Sequence, residues 1–110
     1  MKYVLLARLR DGAEAAQGLV ECELGALRAA GHLVAAARLE TAETLIMTGH
    51  DVPLVRPADD RLAAVFIIDA RDLNDAVRVA GWLVGSGRYW SVEVRQAVEP
   101  APGARGRAHP

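Results

Sequence analysis

A single cysteine, Cys22, is all that this 110-residue chain contains, which excludes an internal disulfide and any cysteine-rich zinc site. A reducing cytoplasm suits such a chain and is the expected location. Long apolar runs are missing too. The opening MKYVLLARLRDG has an apolar stretch shorter than a signal-peptide core and is broken by Arg8, Arg10 and Asp11. No segment approaches the roughly 20 apolar residues that span a bilayer, so a soluble, unexported protein with no membrane contact is expected. Nor is there an excess of either charge. Thirteen basic residues face fourteen acidic ones, a net charge of -1, which gives no general attraction to nucleic acid or an anionic surface. No direct nucleic-acid binding is expected, and nothing resembles a DNA-reading helix. His, Asp and Glu do not recur at metal-ligand spacing, so neither a metal nor a cofactor is expected.

What is present is a hydrophobic fraction of 52% with 25% charged residues, enough for one folded domain but too short a chain for two. Lys2 to Leu9 is β-rich and ends at the turn Arg10-Asp11-Gly12. From Ala13 to Ala30, Ala16, Val20, Leu24 and Leu27 recur at helical spacing, and Gly31 stands where a C-terminal cap belongs. Leu33 to Glu40 reads as a strand. Thr44 to Thr48 and Val52 to Val55 follow as a hairpin around Gly49-His50-Asp51, with Pro53 implying a second arm that is short or lies at an edge.

LAAVFIID, Leu62 to Asp69, is apolar almost throughout, as a central strand should be. Asp72 then offers a helix cap, and Leu73, Ala76, Val77, Ala80, Leu83 and Val84 form one stripe, with Leu73, Val77, Ala80 and Leu83 expected to pack on the sheet. Gly85-Ser86-Gly87 stops that helix as a turn, and Arg88 to Val98 is the last strand. Residues 1–99 thus form the domain, and 100–110, rich in Pro, Gly, Arg and Ala without periodicity, form a disordered tail.

The order strand, helix, strand, hairpin, strand, helix, strand is an α+β, ferredoxin-like split βαβ sandwich with an inserted hairpin. Its first and third main strands are central, and right-handed crossovers put both helices on one sheet face. The opposite face is bare, so a face-to-face homodimer is expected to cover it.

Four segments in this order, MKYVLLA, ALRAAGHLV, VFIIDARDLNDAVRVA and RYWSVEVRQAVE, resemble the YCII-related domain family, in particular its DGPF-type members, over Met1 to Glu99. The resemblance implies a dimeric α+β barrel with small-molecule pockets near the paired faces, and a regulatory partner linked to sigma-factor systems. Two departures stand out. Where the family has Asp-Gly-Pro-Phe, this chain reads Leu54-Val55-Arg56-Pro57-Ala58-Asp59-Asp60-Arg61, several residues shorter and retaining only Pro57. Where some members resemble enzymes with a histidine on the first helix paired with an aspartate, Leu19-Val20-Glu21-Cys22-Glu23 has no histidine.

Among candidate reactive groups, His50 and Asp51 are adjacent turn residues, His32 begins a strand, and His109 lies in the tail. Cys22 beside the helical stripe suggests a small buried thiol, and Trp82, off the stripe of the second helix, suggests the core rim or a subunit contact. Alternation along the last strand assigns Trp90, Val92 and Val94 to the core and Tyr89, Ser91, Glu93 and Arg95 to the bare face. Arg38 from the second strand, with Tyr3 from the first, joins them there. A ligand on that face is expected to meet Ser91 and Glu93, with Tyr89, Arg95 and Arg38 as neighbours. Ion pairing of Glu93 with Arg95 across an interface is the competing account. Two functions follow: a non-catalytic dimeric module that binds a small ligand or a regulatory partner, or a cofactor-free enzyme using acid–base chemistry on a small organic substrate.

Overall fold

The structure, a computed structural model, describes residues 1–10, 17–39, 43–47, 49, 54–57 and 61–98. β1 (Lys2–Leu9) pairs antiparallel with both β5 (Leu62–Asp69) and β6 (Tyr89–Gln96), and β2 (Leu33–Arg38) pairs with β5. The sheet order is β2-β5-β1-β6. The two strands richest in apolar residues are therefore central, where each is paired along both edges. β3 (Glu43–Ile46) and β4 (Leu54–Pro57) form the separate inserted hairpin. His50, Asp51 and Pro53 of its expected turn, and Glu40, His109 and the tail, lie outside the described residues.

Period-2 alternation is clean in β1: Tyr3, Leu5, Ala7 and Leu9 are buried, while Val4, Leu6 and Arg8 are half-buried on the other face. The buried set joins Phe66 and Ile68 of β5 and Tyr89 of β6 to form one core with residues from both helices. α1 (Gln17–Ala29) contributes Leu27, with Leu24 against its margin. It stops at Gly31, whose φ of +79° is a left-handed conformation that glycine adopts without penalty. α2 (Leu73–Gly85) contributes Ala76, Val79, Ala80 and Leu83. Asp72 caps it by accepting from the Asp75 amide at 2.9 Å. Ser86 closes it, its hydroxyl donating to the Leu83 carbonyl at 2.7 Å.

The α2 face differs from the expected one. Leu83 and Ala80 are buried, but Leu73 and Val77 are 56% and 51% exposed. Positions 76, 79, 80 and 83 form the stripe that meets the sheet, and 73 and 77 lie on a flank rotated away from it. The anchor at the amino end is polar: the buried Asp75 carboxylate accepts the Arg71 amide at 3.0 Å and pairs with Arg78. Cys22 is exposed rather than buried, because α1 turns Glu23 and Leu27 toward the core in its place.

Both edge strands carry one residue more than their partners oppose. In β6, Arg8 faces Ser91 but Leu9 faces Tyr89, so Trp90 is extra. In β2, Leu33 faces Ile68 and Ala35 faces Ile67, so Val34 is extra. Such a bulge reverses the alternation beyond it.

Candidate functional site

The open face takes its residues from the even positions of β1. Across the strands, Val4 lies between Ile67 and Arg95, Leu6 between Val65 and Glu93, and Arg8 between Leu62 and Ser91. Val4, Leu6, Val65 and Ile67 form a half-buried apolar patch, and β6 lines one side of it with charge. Arg8 Nη1 donates to Glu93 Oε1 at 3.2 Å, and Arg95 Nε donates to Glu93 Oε2 at 2.5 Å. The two guanidiniums, Arg95 foremost, hold the Glu93 carboxyl below the usual carboxylate range. An ionised carboxylate with both oxygens engaged accepts no proton near neutral pH, so it is a poor general base. The unused N–H donors of the arginines and the Ser91 hydroxyl suit a ligand that accepts hydrogen bonds, such as a small oxyanion or carbonyl compound.

Three expected neighbours are elsewhere. Tyr89 is 1% exposed on the helix-covered face, and Trp90, assigned by alternation to the core, is 61% exposed. The bulge at Trp90 accounts for both, since it leaves Val92 and Val94 facing the core and exchanges only Tyr89 and Trp90. Arg38 faces Ala64 in the row that holds Ala7 and Val92, again the helix-covered side, because the bulge at Val34 inverts the rest of β2. There it borders a depression with Glu21, Leu24 and Phe66. Tyr3 is buried beneath the helices as well. The structure thus brings Ser91, Glu93 and Arg95 together, adds Arg8, and separates Tyr89 and Arg38 from them. Arg8 was legible in principle as the one charge interrupting the apolar run of β1.

Tyr89 belongs instead to a buried polar cluster. Glu23 of α1 and Arg88, just before β6, form an ion pair with side chains 5% and 7% exposed, and the Tyr89 phenol lies within electrostatic reach of both. The Arg88 guanidinium carbon lies 5.8 Å from the Tyr89 ring centre, within cation–π range. Burial raises the Glu23 pKa, against the opposing pull of Arg88. It also pushes the Tyr89 phenol up to about 12. Glu23 Oε2 and Arg88 Nε have no hydrogen-bond partner. Glu23 shares its helix face with Leu27, four residues on, a placement that the stripe of α1 could have revealed.

Among the described residues no group of His, Cys, Asp and Glu is placed to hold a metal ion, and no helix is long and apolar enough to cross a membrane.

No family model and no curated protein matches the chain. Among solved structures, the 5-chloro-2-hydroxyhydroquinone dehydrochlorinase of Burkholderia phenoliruptrix AC1100, in complex with 2,5-dihydroxybenzoquinone, is similar with a TM-score of 0.55 and 15% identity. The match covers 91% of this chain and 96% of that one. At that identity the likeness extends to the α+β ferredoxin-like fold.

Proposed function

We propose that the chain is a YCII-related domain that works as a homodimer, with open sheet faces apposed, and binds a small polar ligand without turning it over. The observation that carries this is the placement of Glu93, locked between Arg8 and Arg95 beside the apolar patch of Val4, Leu6, Val65 and Ile67. The patch favours a second copy. The charged margin favours recognition over proton transfer, because its carboxylate is already committed to two cations. Ser91, Arg8 and Arg95 contact the ligand in this scheme, and Glu93 holds the arginines in place. A reducing cytoplasm suits the exposed thiol of Cys22.

A cofactor-free enzyme is the second possibility, favoured by the dehydrochlorinase with which the fold is shared. A sigma-factor-linked regulatory protein is the partner that the family resemblance suggests. One set of measurements separates these. Light scattering at micromolar concentration is expected to give a dimer, and thermal shift with a panel of small organic acids is expected to give hits that Ser91→Ala and Arg95→Gln weaken while mass is unchanged. A monodisperse folded monomer removes the apposed-face scheme. Chloride release from a chlorinated hydroquinone, lost in Ser91→Ala, would establish the enzyme instead.

A further inference from the structure

A second feature lies on the opposite side of the molecule, between the helices. α2 runs along β6 and α1 stands over β2, so the two diverge above the central strands. The gap is an apolar cleft of about 260 Å3, with buried Leu27 and Val79 as its floor and Ala26, Ala30 and Trp82 as its walls. Arg78 and His32 stand at its mouth, where it opens into a wider polar depression bordered by Arg71, Asp75 and Asp69. His32 is fixed there by a 2.9 Å hydrogen bond from Nδ1 to the Asp69 carbonyl oxygen.

Size, surface and charge narrow the occupant. Pockets for drug-sized ligands run from about 300 to 1,000 Å3, and an apolar cavity of about 150 Å3 already holds benzene, so this cleft suits one substituted ring. Trp82 follows Arg78 by four residues on the same flank of α2, and its indole is half exposed. A ring stacked on that indole therefore carries its substituent toward the guanidinium.

The arginine pair at the mouth has one positive charge in excess of its carboxylate. Asp75 is the single buried carboxylate between Arg71 and Arg78, whose side chains are largely exposed. Asp69 is occupied by Lys2 and the terminal amine of Met1. Each guanidinium has five N–H donors, so donors remain after the Asp75 contact. We propose that the interhelical cleft binds a monocyclic aromatic carboxylate, with its ring against Trp82 and its carboxylate on Arg78.

The test uses fluorescence. In Trp90→Phe the Trp82 indole is the sole reporter, and titration with benzoate is expected to give a saturable change. Benzyl alcohol, which has the ring without the charge, and acetate, which has the charge without the ring, are each expected to bind about tenfold more weakly or worse. Arg78→Gln in the same background is expected to cost benzoate about tenfold in affinity and to leave benzyl alcohol unchanged. Asp75 keeps Arg71 in that variant. Should it nevertheless fail to fold, Arg78→Lys, which retains charge but loses the planar fork, is expected to weaken benzoate in the same direction. The proposal falls if benzoate gives no saturable change up to about 10 mM, or if benzoate and benzyl alcohol bind alike. It also falls if Trp82→Ala changes the mass by light scattering, which would make the indole a subunit contact.

Discussion

Removing Arg88 tests whether the buried Glu23–Arg88 pair stabilises the fold or is only tolerated by it. Two unit charges about 4 Å apart attract by about 4 kcal/mol at the effective dielectric of ~20 that describes protein sites. Against this stands the desolvation of both groups, aggravated by the unpaired Glu23 Oε2 and Arg88 Nε, each of which forgoes a hydrogen bond worth roughly 1–3 kcal/mol. The net value of the pair is therefore small, whereas breaking it strands a charge. Arg88→Met is expected to cost about 3 kcal/mol at pH 7, in the range for an uncompensated buried charge. Glu23→Leu should cost at least as much, since arginine cannot shed its proton. The double variant Glu23→Leu with Arg88→Met should lie within about 1 kcal/mol of the parent, because an apolar replacement of a buried pair is often neutral.

Acidity sharpens this test. Burial raises the Glu23 pKa in the folded protein, and loss of Arg88 raises it further. A carboxyl with a raised folded pKa favours folding below its unfolded pKa of about 4.3 and loses that contribution as pH rises through the folded value. The cost of Arg88→Met should therefore shrink between pH 7 and pH 5, while the cost of Glu23→Leu should not. Urea unfolding followed by far-UV circular dichroism at fixed protomer concentration measures all four proteins. Additive single costs, with coupling under about 0.5 kcal/mol, would refute the reasoning.

Leu83→Ala should cost about 2–5 kcal/mol and Val77→Ala less than about 0.5 kcal/mol, a contrast in chemical denaturation that checks the rotation of α2. The Asp72→Ala variant should lose about 1 kcal/mol through the missing cap, with Asp72→Asn close to the parent in thermal unfolding. The folded Asp75 carboxyl is lowered to about 2, chiefly by the Arg71 amide and then by Arg78. Its contribution is present above the unfolded value of about 3.9 and is lost as pH falls toward 2. Acid unfolding of Asp75→Asn should accordingly converge on that of the parent across this window. Divergence there would put the acid sensitivity elsewhere.

Strand and helix identities were legible because each rests on a local signal: LAAVFIID has no polar interruption, Asp72 precedes a stripe, and Gly31 follows one. Faces were legible only where the pairing is regular. β1 alternates without a break on its own strand, but in β6 the extra Trp90 displaces Tyr89 from the face its parity predicts, and in β2 the extra Val34 does the same to Arg38. A bulge is a property of two strands together, and a single strand's alternation contains no trace of it. The run Ala35-Ala36-Ala37 gives even less to go on, since residues of one size on both faces show no contrast. Ser91 and Glu93 stayed on their expected face because they lie beyond the irregularity. The buried Asp75 and the Glu23–Arg88 pair were hidden for another reason: a charge is read as solvent-facing until the partner that pays for its burial is seen.

The same two extra residues bear on what this sheet can grow into. An edge strand with a straight row of free amides and carbonyls is a template for another chain, and continued addition of that kind makes fibres. Here both rims are irregular, β2 at Val34 and β6 at Trp90, and β6 also projects Arg95. A newcomer would meet a ledge that is out of step at either end. Contact through the broad side of the sheet, as in the proposed dimer, would close after one partner, and the chain could then be concentrated without polymerising.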